Sequence, residues 1–178
     1  MKIAVVDIET TGFFNQGGLI VEIGIVELDL ETGNVEPLYN SLVLDSKLSI
    51  NDKDSWIFNN SDLLFSEVLM ANPLDLDILQ DIFNKYPATA YNKAFDFQFL
   101  KDKRLKIKEL PCPMLLSTDV IKLTGRYGNY KWPSVQEAWN YFFPNSSYVE
   151  RHRGFDDAYH EAYIVYELHK LGKFKIDS

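Results

Sequence analysis

The chain has 178 residues, of which 46% are hydrophobic and 14% aromatic, and it carries a formal net charge of −8. This length suffices for one well-packed core and is too short to favour two, so we predict a single domain over residues 1–178. The negative charge argues against non-specific binding of duplex nucleic acid through many lysine and arginine contacts, but it does not exclude a nuclease whose acids bind cations.

Cysteine content and the N-terminal segment indicate the cellular compartment. Cys112 is the only cysteine and lies between two prolines, so a disulfide framework is excluded and a reducing environment is expected. The apolar run at the N-terminus is short and is interrupted by Asp7 and Glu9, which fits neither a signal peptide nor a membrane span. We therefore predict a soluble, cytoplasmic protein that does not contact a membrane.

Hydrophobic patterning predicts three consecutive strands at the start of the chain. The first contains the continuous apolar run 3–6, the second covers 19–28, and the third covers 38–44. Thr32, Gly33 and Asn34 are typical of a hairpin turn between the second and third strands.

Helical and extended segments alternate in the rest of the chain. The spacing predicts helices over 61–86, 95–101, 119–123, 134–143 and 155–171, a short strand over 88–91, and a fifth strand over 114–117. Three strands followed by alternating helices and strands predict an α/β fold with a mixed sheet flanked by helices.

Two carboxylates, Asp7 and Glu9, lie at the end of the first strand. Side chains two apart on a strand share a face, so both acids are aimed the same way. Neighbouring carboxylates at the edge of a core resist ionising together unless a cation neutralises them, which favours a metal site. On this spacing alone, a strand that has already ended in a solvated turn is an equal alternative.

Further polar residues follow at places where α/β proteins build sites. Asp96 lies where the predicted strand at 88–91 gives way to a helix, and Asp157 lies in the first turn of the final helix. Helix capping alone could account for Asp157. His152 precedes Asp157 in a glycine-containing loop, where we expect the imidazole to reach solvent.

These three motifs together resemble a known family, the DEDDh-type 3′–5′ exonucleases of the DnaQ-like, ribonuclease H-like superfamily. The motifs are Asp7-Ile8-Glu9-Thr10-Thr11-Gly12, then Asn92 to Leu100 around Asp96, then His152 with Asp157 five positions on. The resemblance extends from Ile3 to about Leu171 and implies a ribonuclease H-like mixed sheet.

The resemblance implies catalysis with two divalent cations, Mg²⁺ or Mn²⁺, which suit hard oxygen ligands. Asp7 would bridge both cations, Glu9 and Asp157 would complete one site, and Asp96 would serve the other. His152 would be the general base, because an imidazole can accept and release a proton near neutral pH.

Substrate contacts also follow from the resemblance. The backbone around Thr10, Thr11 and Gly12 would meet the terminal 3′-hydroxyl, Phe13 would wedge against the last base, and Asn92 would contact a phosphate or sugar. Tyr91 stands where proofreading subunits carry histidine.

The resulting hypothesis is a proofreading or repair exonuclease that removes nucleoside 5′-monophosphates from the 3′ end of single-stranded or frayed DNA, with a polymerase as a candidate partner. A 3′–5′ exoribonuclease acting on RNA ends or short oligonucleotides is the main alternative. A nuclease-like binding module is a third interpretation, which predicts loss of a metal acid; all four acids are present.

Several other residues are weaker candidates for a functional role. His160 lies three residues after Asp157 on the same helix face, although a partly exposed helix histidine is the better interpretation. Tyr127, Tyr130 and Trp132 could stack on bases or pack in the core. Basic residues cluster over 101–108, over 122–131 and at Arg151 and Arg153. A solvated surface is the better interpretation of each cluster. Only for Arg151 and Arg153 does a neighbour, His152, support a functional role.

Overall fold

Four strands form one mixed sheet in the computed structural model, which describes residues 1–176. They are β1 (Lys2–Thr10), β2 (Ile20–Asp29), β3 (Val35–Leu42) and β4 (Ala88–Thr89), in the spatial order β3-β2-β1-β4. β2 pairs antiparallel with both β1 and β3, whereas β4 pairs parallel with β1. The predicted mixed sheet that opens with three strands is confirmed, and β3 lies two to three residues earlier than the predicted range 38–44.

The turn between β2 and β3 has the predicted chemistry. The Gly33 amide donates to the Asp29 carbonyl at 2.7 Å, and Gly33 adopts φ +77°, a left-handed conformation that glycine tolerates. A side chain at Gly33 would also collide with the ring of Tyr166, since a Cβ there would lie 2.6 Å from a ring carbon.

Within residues 1–176, seven α-helices accompany the sheet: α1 (Trp56–Asn60), α2 (Phe65–Val68), α3 (Leu76–Lys85), α4 (Lys93–Asp102), α5 (Pro113–Ile121), α6 (Val135–Phe142) and α7 (Gly154–Lys170). The helix predicted over 61–86 is confirmed over α3 but is wrong in its continuity, because α2 and α3 are separate helices. Pro73 precludes a continuous helix, and the Asp75 side chain begins α3 by accepting a hydrogen bond from the Ile78 amide at 3.0 Å.

The predicted fifth strand over 114–117 is also wrong, because these residues lie in α5. Pro113 occupies the first turn, where a missing amide proton costs nothing, and Thr118 donates its hydroxyl proton to the Met114 carbonyl at 2.9 Å. A short apolar run such as Met114 to Leu116 fits a buried helix as well as a strand, so periodicity could not separate them. The predicted helix over 119–123 overlaps the end of this same helix.

The sheet separates two apolar layers. Ile3, Val5, Val26 and Leu28 pack towards the layer that contains α5, α6 and α7, while Ala4, Val6 and Ile8 pack towards the layer of α3 and α4. Side chains alternate along β1, so the odd-numbered Asp7 and Glu9 belong to the side of Ile3 and Val5. The acids of β1 thus face the layer that contains the helix of Asp157.

Helix α7 approaches the sheet through two glycines. A Cβ on Gly24 would lie 2.2 Å from the carbonyl carbon of Gly154, a separation that real side chains do not reach. Gly24 is the register partner of Asp7 in the β1–β2 pair, so the closest approach falls beside the first acid. Within residues 1–176, no helix is both long enough and apolar enough to cross a membrane.

Candidate active site

The C-terminal part of β1 carries the first two acids, Asp7 and Glu9, beside α7. Asp7 is partly buried, and among residues 1–176 its Oδ2 atom is buried without a hydrogen-bond partner. Glu9 follows on the same side of the strand. An unpartnered buried carboxylate oxygen is costly, and a cation is the kind of partner that it lacks.

Helices α4 and α7 supply the other two acids. Asp96 is 3% exposed and its Oδ1 accepts a hydrogen bond from the Ile8 amide at 3.2 Å, which ties α4 to β1 between Asp7 and Glu9. Asp157 is buried in the first turn of α7, where it accepts hydrogen bonds from the Tyr148 hydroxyl at 2.7 Å and the Arg153 amide at 3.0 Å.

One cavity of about 190 Å³ brings the predicted catalytic residues together. Its wall includes Asp7, Glu9, Asp96, His152 and Asp157. One potential ligand atom from each of Glu9, His152 and Asp157 lies within 4.8 Å of the others. We call this space the carboxylate cavity. Residues separated by up to 150 positions in sequence therefore meet in one concave site that is rich in oxygen ligands.

Burial and mutual repulsion disfavour ionisation of these acids. Loss of solvent raises the pKa of Asp7 well above its ordinary value, and the charges of Glu161 and Glu9 raise it further. Burial raises the pKa of Glu9 and of Asp157 as well, and raises the pKa of Asp96 to about 7. Such a cluster stores electrostatic repulsion, which bound cations would relieve.

A second, more apolar cavity of about 420 Å³ adjoins the first. Its wall contains all four residues from Thr10 to Phe13, together with Trp56 and Phe95, and it shares Ile8, Glu9 and Phe95 with the carboxylate cavity. We call it the apolar pocket. Residues 10–13, which the sequence predicted to contact the substrate, thus lie together in the apolar pocket. Asn92, predicted to contact it as well, lines the carboxylate cavity instead.

The two threonine hydroxyls are engaged within their own turn. Thr10 donates its hydroxyl proton to the Gly12 carbonyl at 2.9 Å, and the Thr11 hydroxyl oxygen accepts from the Leu19 amide at 3.0 Å. These bonds fix the loop that leaves β1. The hydrogen bonds thus order the turn residues that form this wall of the apolar pocket.

His152 is held more firmly than its glycine-containing loop suggested. It adopts φ +55°, an uncommon left-handed conformation for a non-glycine residue, and its ring packs edge-on against Trp56 with 4.7 Å between ring centroids. Its side chain is only 31% exposed, and Nδ1 lies 3.9 Å from Glu150 Oε1. The surroundings therefore restrict the imidazole to one region of the cavity wall.

The arginines on either side of His152 pair with acids. Arg151 bonds one oxygen of Asp62 at 2.8 Å, and Arg153 bonds the other at 2.7 Å while also chelating Glu22. Their guanidinium groups are therefore committed to protein carboxylates.

Sequence reasoning missed several residues of the site, including Phe95, which lines both cavities. Trp56 fell before the predicted helix, in a segment without a motif, and Glu150 and Glu161 lacked a recognised spacing. Glu161 is buried one turn after Asp157 and accepts from the Tyr91 amide at 3.3 Å, and burial raises its pKa strongly. The i, i+4 spacing of Asp157 and Glu161 was the available signal. His160 does not line the cavity; it stacks on Tyr148 at 3.6 Å.

The sequence profile of the RNase_T family, described as exonuclease, matches residues 4–165. The fold and this match define the class: a hydrolytic nuclease with a ribonuclease H-like fold. The chain belongs to the RNase_T exonuclease family, in agreement with the predicted resemblance to DEDDh-type 3′–5′ exonucleases. Members of this class typically use divalent metal ions, in keeping with the acids and histidine gathered here. No curated protein sequence matches the chain.

Solved structures share the fold. The nuclease domain of 3′hExo, a DEDDh family member bound to rAMP, superposes with a TM-score of 0.69 at 17% identity, covering 99% of this chain and 96% of that one. A 3′-exonuclease solved for 3′-end specific recognition of a histone mRNA stem-loop gives 0.67 at 17% identity, with 97% and 83% covered. A full-length 3′-exonuclease gives 0.68 at 17% identity; the match covers 97% of this chain but only 62% of that protein.

Proposed function

We propose that this chain is a single exonuclease domain that hydrolyses the last phosphodiester bond at the 3′ end of single-stranded or frayed nucleic acid and releases nucleoside 5′-monophosphates. The observation that carries the proposal is the adjacency of the two cavities. Acids and a histidine line the carboxylate cavity, and the apolar pocket beside it shares three residues with it. A terminal nucleoside in the apolar pocket would place its phosphate at the acids.

Four acids are proposed to hold two divalent cations, Mg²⁺ or Mn²⁺: Asp7, Glu9, Asp96 and Asp157. The unpartnered Oδ2 of Asp7 and the oxygen-only character of these acids suit hard cations. When bound, two such cations would stabilise the attacking and leaving oxygens of an in-line displacement at phosphorus.

His152 is proposed to accept the proton of the attacking water. His152 Nδ1 lies 3.9 Å from Glu150 Oε1, and in the proposed mechanism Nε2 is the nitrogen that accepts the proton. Packing of the ring against Trp56 supports this role, because a general base must be held within reach of the proton that it takes.

Aromatic side chains are proposed to hold the terminal nucleoside. Phe13 and Phe95 meet edge to face with 6.3 Å between ring centroids, and Trp56 contributes another wall of the apolar pocket. Base stacking on such rings tolerates any base, as an enzyme that shortens strands of arbitrary sequence requires. Asn92 is proposed to contact the phosphate or sugar from the carboxylate cavity.

DNA is proposed as the substrate on the strength of the Thr10-Thr11-Gly12 motif, and RNA is the second candidate. The solved structures of similar fold support the second candidate, since one carries rAMP and another recognises a histone mRNA stem-loop. A proofreading or repair role, a polymerase partner and a cytoplasmic location stay predictions.

The test is digestion of a 5′-labelled single-stranded DNA and its RNA twin with Mn²⁺, alongside an EDTA control. We expect a metal-dependent ladder that shortens from the 3′ end, and the faster strand names the substrate. Asp7→Asn should abolish the ladder, while Asp77→Asn, which changes an exposed acid of α3, should not. Absence of cleavage of both strands with either metal would refute the proposal.

A further inference from the structure

An exposed hairpin follows α5. Thr124 and Tyr130 form an antiparallel bridge, the Gly125 amide donates to the Asn129 carbonyl at 2.7 Å, and the Lys131 amide donates to the Leu123 carbonyl at 2.9 Å. Gly128 at its tip adopts φ +79°. We call residues 122–133 the basic hairpin.

The basic hairpin is cationic in an otherwise acidic protein. It contains Lys122, Arg126 and Lys131 and has no aspartate or glutamate, although the whole chain carries a net charge of −8. Lys131 pairs with Glu137 at 2.5 Å. Within residues 1–176, neither Lys122 nor Arg126 forms an ion pair, so two exposed cations remain available to an anionic ligand.

Three large aromatic side chains share the same hairpin. Tyr127 is 85% exposed, Tyr130 is 53% exposed and Trp132 is 65% exposed. Core packing, the ordinary role of aromatic residues, does not explain them. Exposed aromatic rings interleaved with cations suit single-stranded nucleic acid, whose bases stack on the rings while its phosphates meet the cations.

The base of the hairpin borders the active site. The Tyr91 hydroxyl donates to the Pro133 carbonyl at 3.0 Å, and both Tyr91 and Val135 line the carboxylate cavity. A strand with its 3′ end at the acids must continue across the rim of that cavity. Pro133 and the buried Val135 thus place the C-terminal end of the hairpin at a part of that rim.

We propose that the basic hairpin binds the single strand upstream of the scissile bond, through stacking on Tyr127, Tyr130 and Trp132 and phosphate contacts from Lys122 and Arg126. This surface rests on the proposed exonuclease function and adds to it. It assigns affinity for the strand to residues outside both cavities.

The test compares two substrates that differ only in their need for the hairpin. One is a 5′-labelled 12-nucleotide strand of DNA or RNA, whichever the enzyme prefers. The other is the p-nitrophenyl ester of the matching nucleoside 5′-monophosphate, which is too small to reach the hairpin from the two cavities. The triple variant Tyr127→Ala, Tyr130→Ala and Trp132→Ala should raise KM for the strand at least about tenfold, because stacked bases are lost. Its ester hydrolysis should stay within about twofold of the wild type.

Tyr141→Ala is the matched control, because Tyr141 is 51% exposed but lies on α6, outside the hairpin. It should leave both substrates unaffected. A strand KM for the triple variant within twofold of the wild type would overturn the hairpin proposal, as would loss of ester hydrolysis in that variant. Failure of the wild-type enzyme on both substrates would instead overturn the proposed function, so the two failures are distinguishable.

The cationic part of the surface has its own readout. Arg126→Ser should reduce the slope of log affinity against log salt for the 12-nucleotide strand by about 0.7, the value for one phosphate contact of a single strand. Lys106→Ser, at an exposed lysine after α4, should leave the slope unchanged. Equal slopes for wild type and Arg126→Ser would remove Arg126 from the surface.

Discussion

Arg153 and Glu22 form a bidentate ion pair that joins the loop of His152 to β2, with Nε–Oε2 at 2.9 Å and Nη2–Oε1 at 3.0 Å. Glu22 is 2% exposed and also accepts from the Gly154 amide at 3.2 Å. The Glu22 carboxylate therefore holds both Arg153, which follows the histidine, and Gly154, the first residue of α7.

Removal of this arginine should destabilise the protein. Arg153→Ala leaves the buried Glu22 carboxylate without its cation, which costs about 3 kcal/mol of unfolding free energy. Urea denaturation measures the loss. Arg151→Ala is the control: Arg151 and its partner Asp62 are both more than half exposed, so its loss should cost less than about 1 kcal/mol. Equal losses for the two variants would contradict the assigned difference in burial.

The buried acids make the stability of the metal-free protein pH-dependent. The pKa of Asp96 is about 7 in the folded state, above its ordinary value near 4, so the folded protein binds this proton more tightly than the unfolded chain. The contribution to stability is complete below about pH 4 and is lost as the pH rises through 7. In EDTA, the melting temperature should fall between pH 5 and pH 8; a flat profile would contradict this.

Neutralising Asp96 should separate stability from activity. Asp96→Asn keeps an oxygen that can accept from the Ile8 amide, but it cannot ionise. We expect the metal-free variant to melt several degrees above the wild type at pH 8 and to lose cleavage. Saturating Mn²⁺ should raise the melting temperature of the wild type more than that of the variant, because cation binding stabilises only the folded state. A wild-type melting temperature that ignores Mn²⁺ would exclude the cation site.

His152→Ala should distinguish a general base from a metal ligand. Loss of a general base lowers turnover by about 10²–10⁴-fold and leaves cation binding intact. A ligand role would weaken cation binding instead, and the proximity of the ring to Glu9 and Asp157 makes this a real alternative. Single-turnover rates together with Mn²⁺ titration by calorimetry decide between the two roles.

Trp56→Ala should affect both cavities. Loss of the ring removes a wall of the apolar pocket, so KM should rise by about 5-fold or more, and it frees the imidazole of His152, so kcat should fall as well. Trp56→Phe should restore most of both parameters, because a smaller ring retains the stacking face. Steady-state kinetics on the preferred strand provides the comparison. A change confined to KM would remove Trp56 from the positioning of His152.

The sequence predicted features that have a local pattern better than features that depend on contacts between distant segments. The strand pattern predicted the sheet, and Asp7 and Glu9 have a fixed spacing within one strand. Asp96 and Asp157 lie on other elements, and only the resemblance of the three motifs to a known family placed them with the first two acids. Trp56 has no such spacing, because it joins the site only when residues 44–75 fold against the loop of His152. The continuous helix predicted over 61–86 failed for a different reason, because Pro73 was a helix-breaking signal in the sequence that the prediction overlooked. The segment before it packs as Ile57, Leu63 and Val68 around Val21, which local spacing does not reveal.

The contact between Gly24 and Gly154 determines how the active site responds to change elsewhere in the protein. Main-chain atoms meet directly at this point, so side-chain size in the surrounding core does not set the separation between β1 and the start of α7. Substitutions in the apolar layers can therefore weaken the fold while the spread between Asp7 and Asp157 is preserved. The spacing of the acids is therefore less sensitive to substitutions in the apolar layers than to a side chain at either glycine, where a Cβ would collide with main-chain atoms.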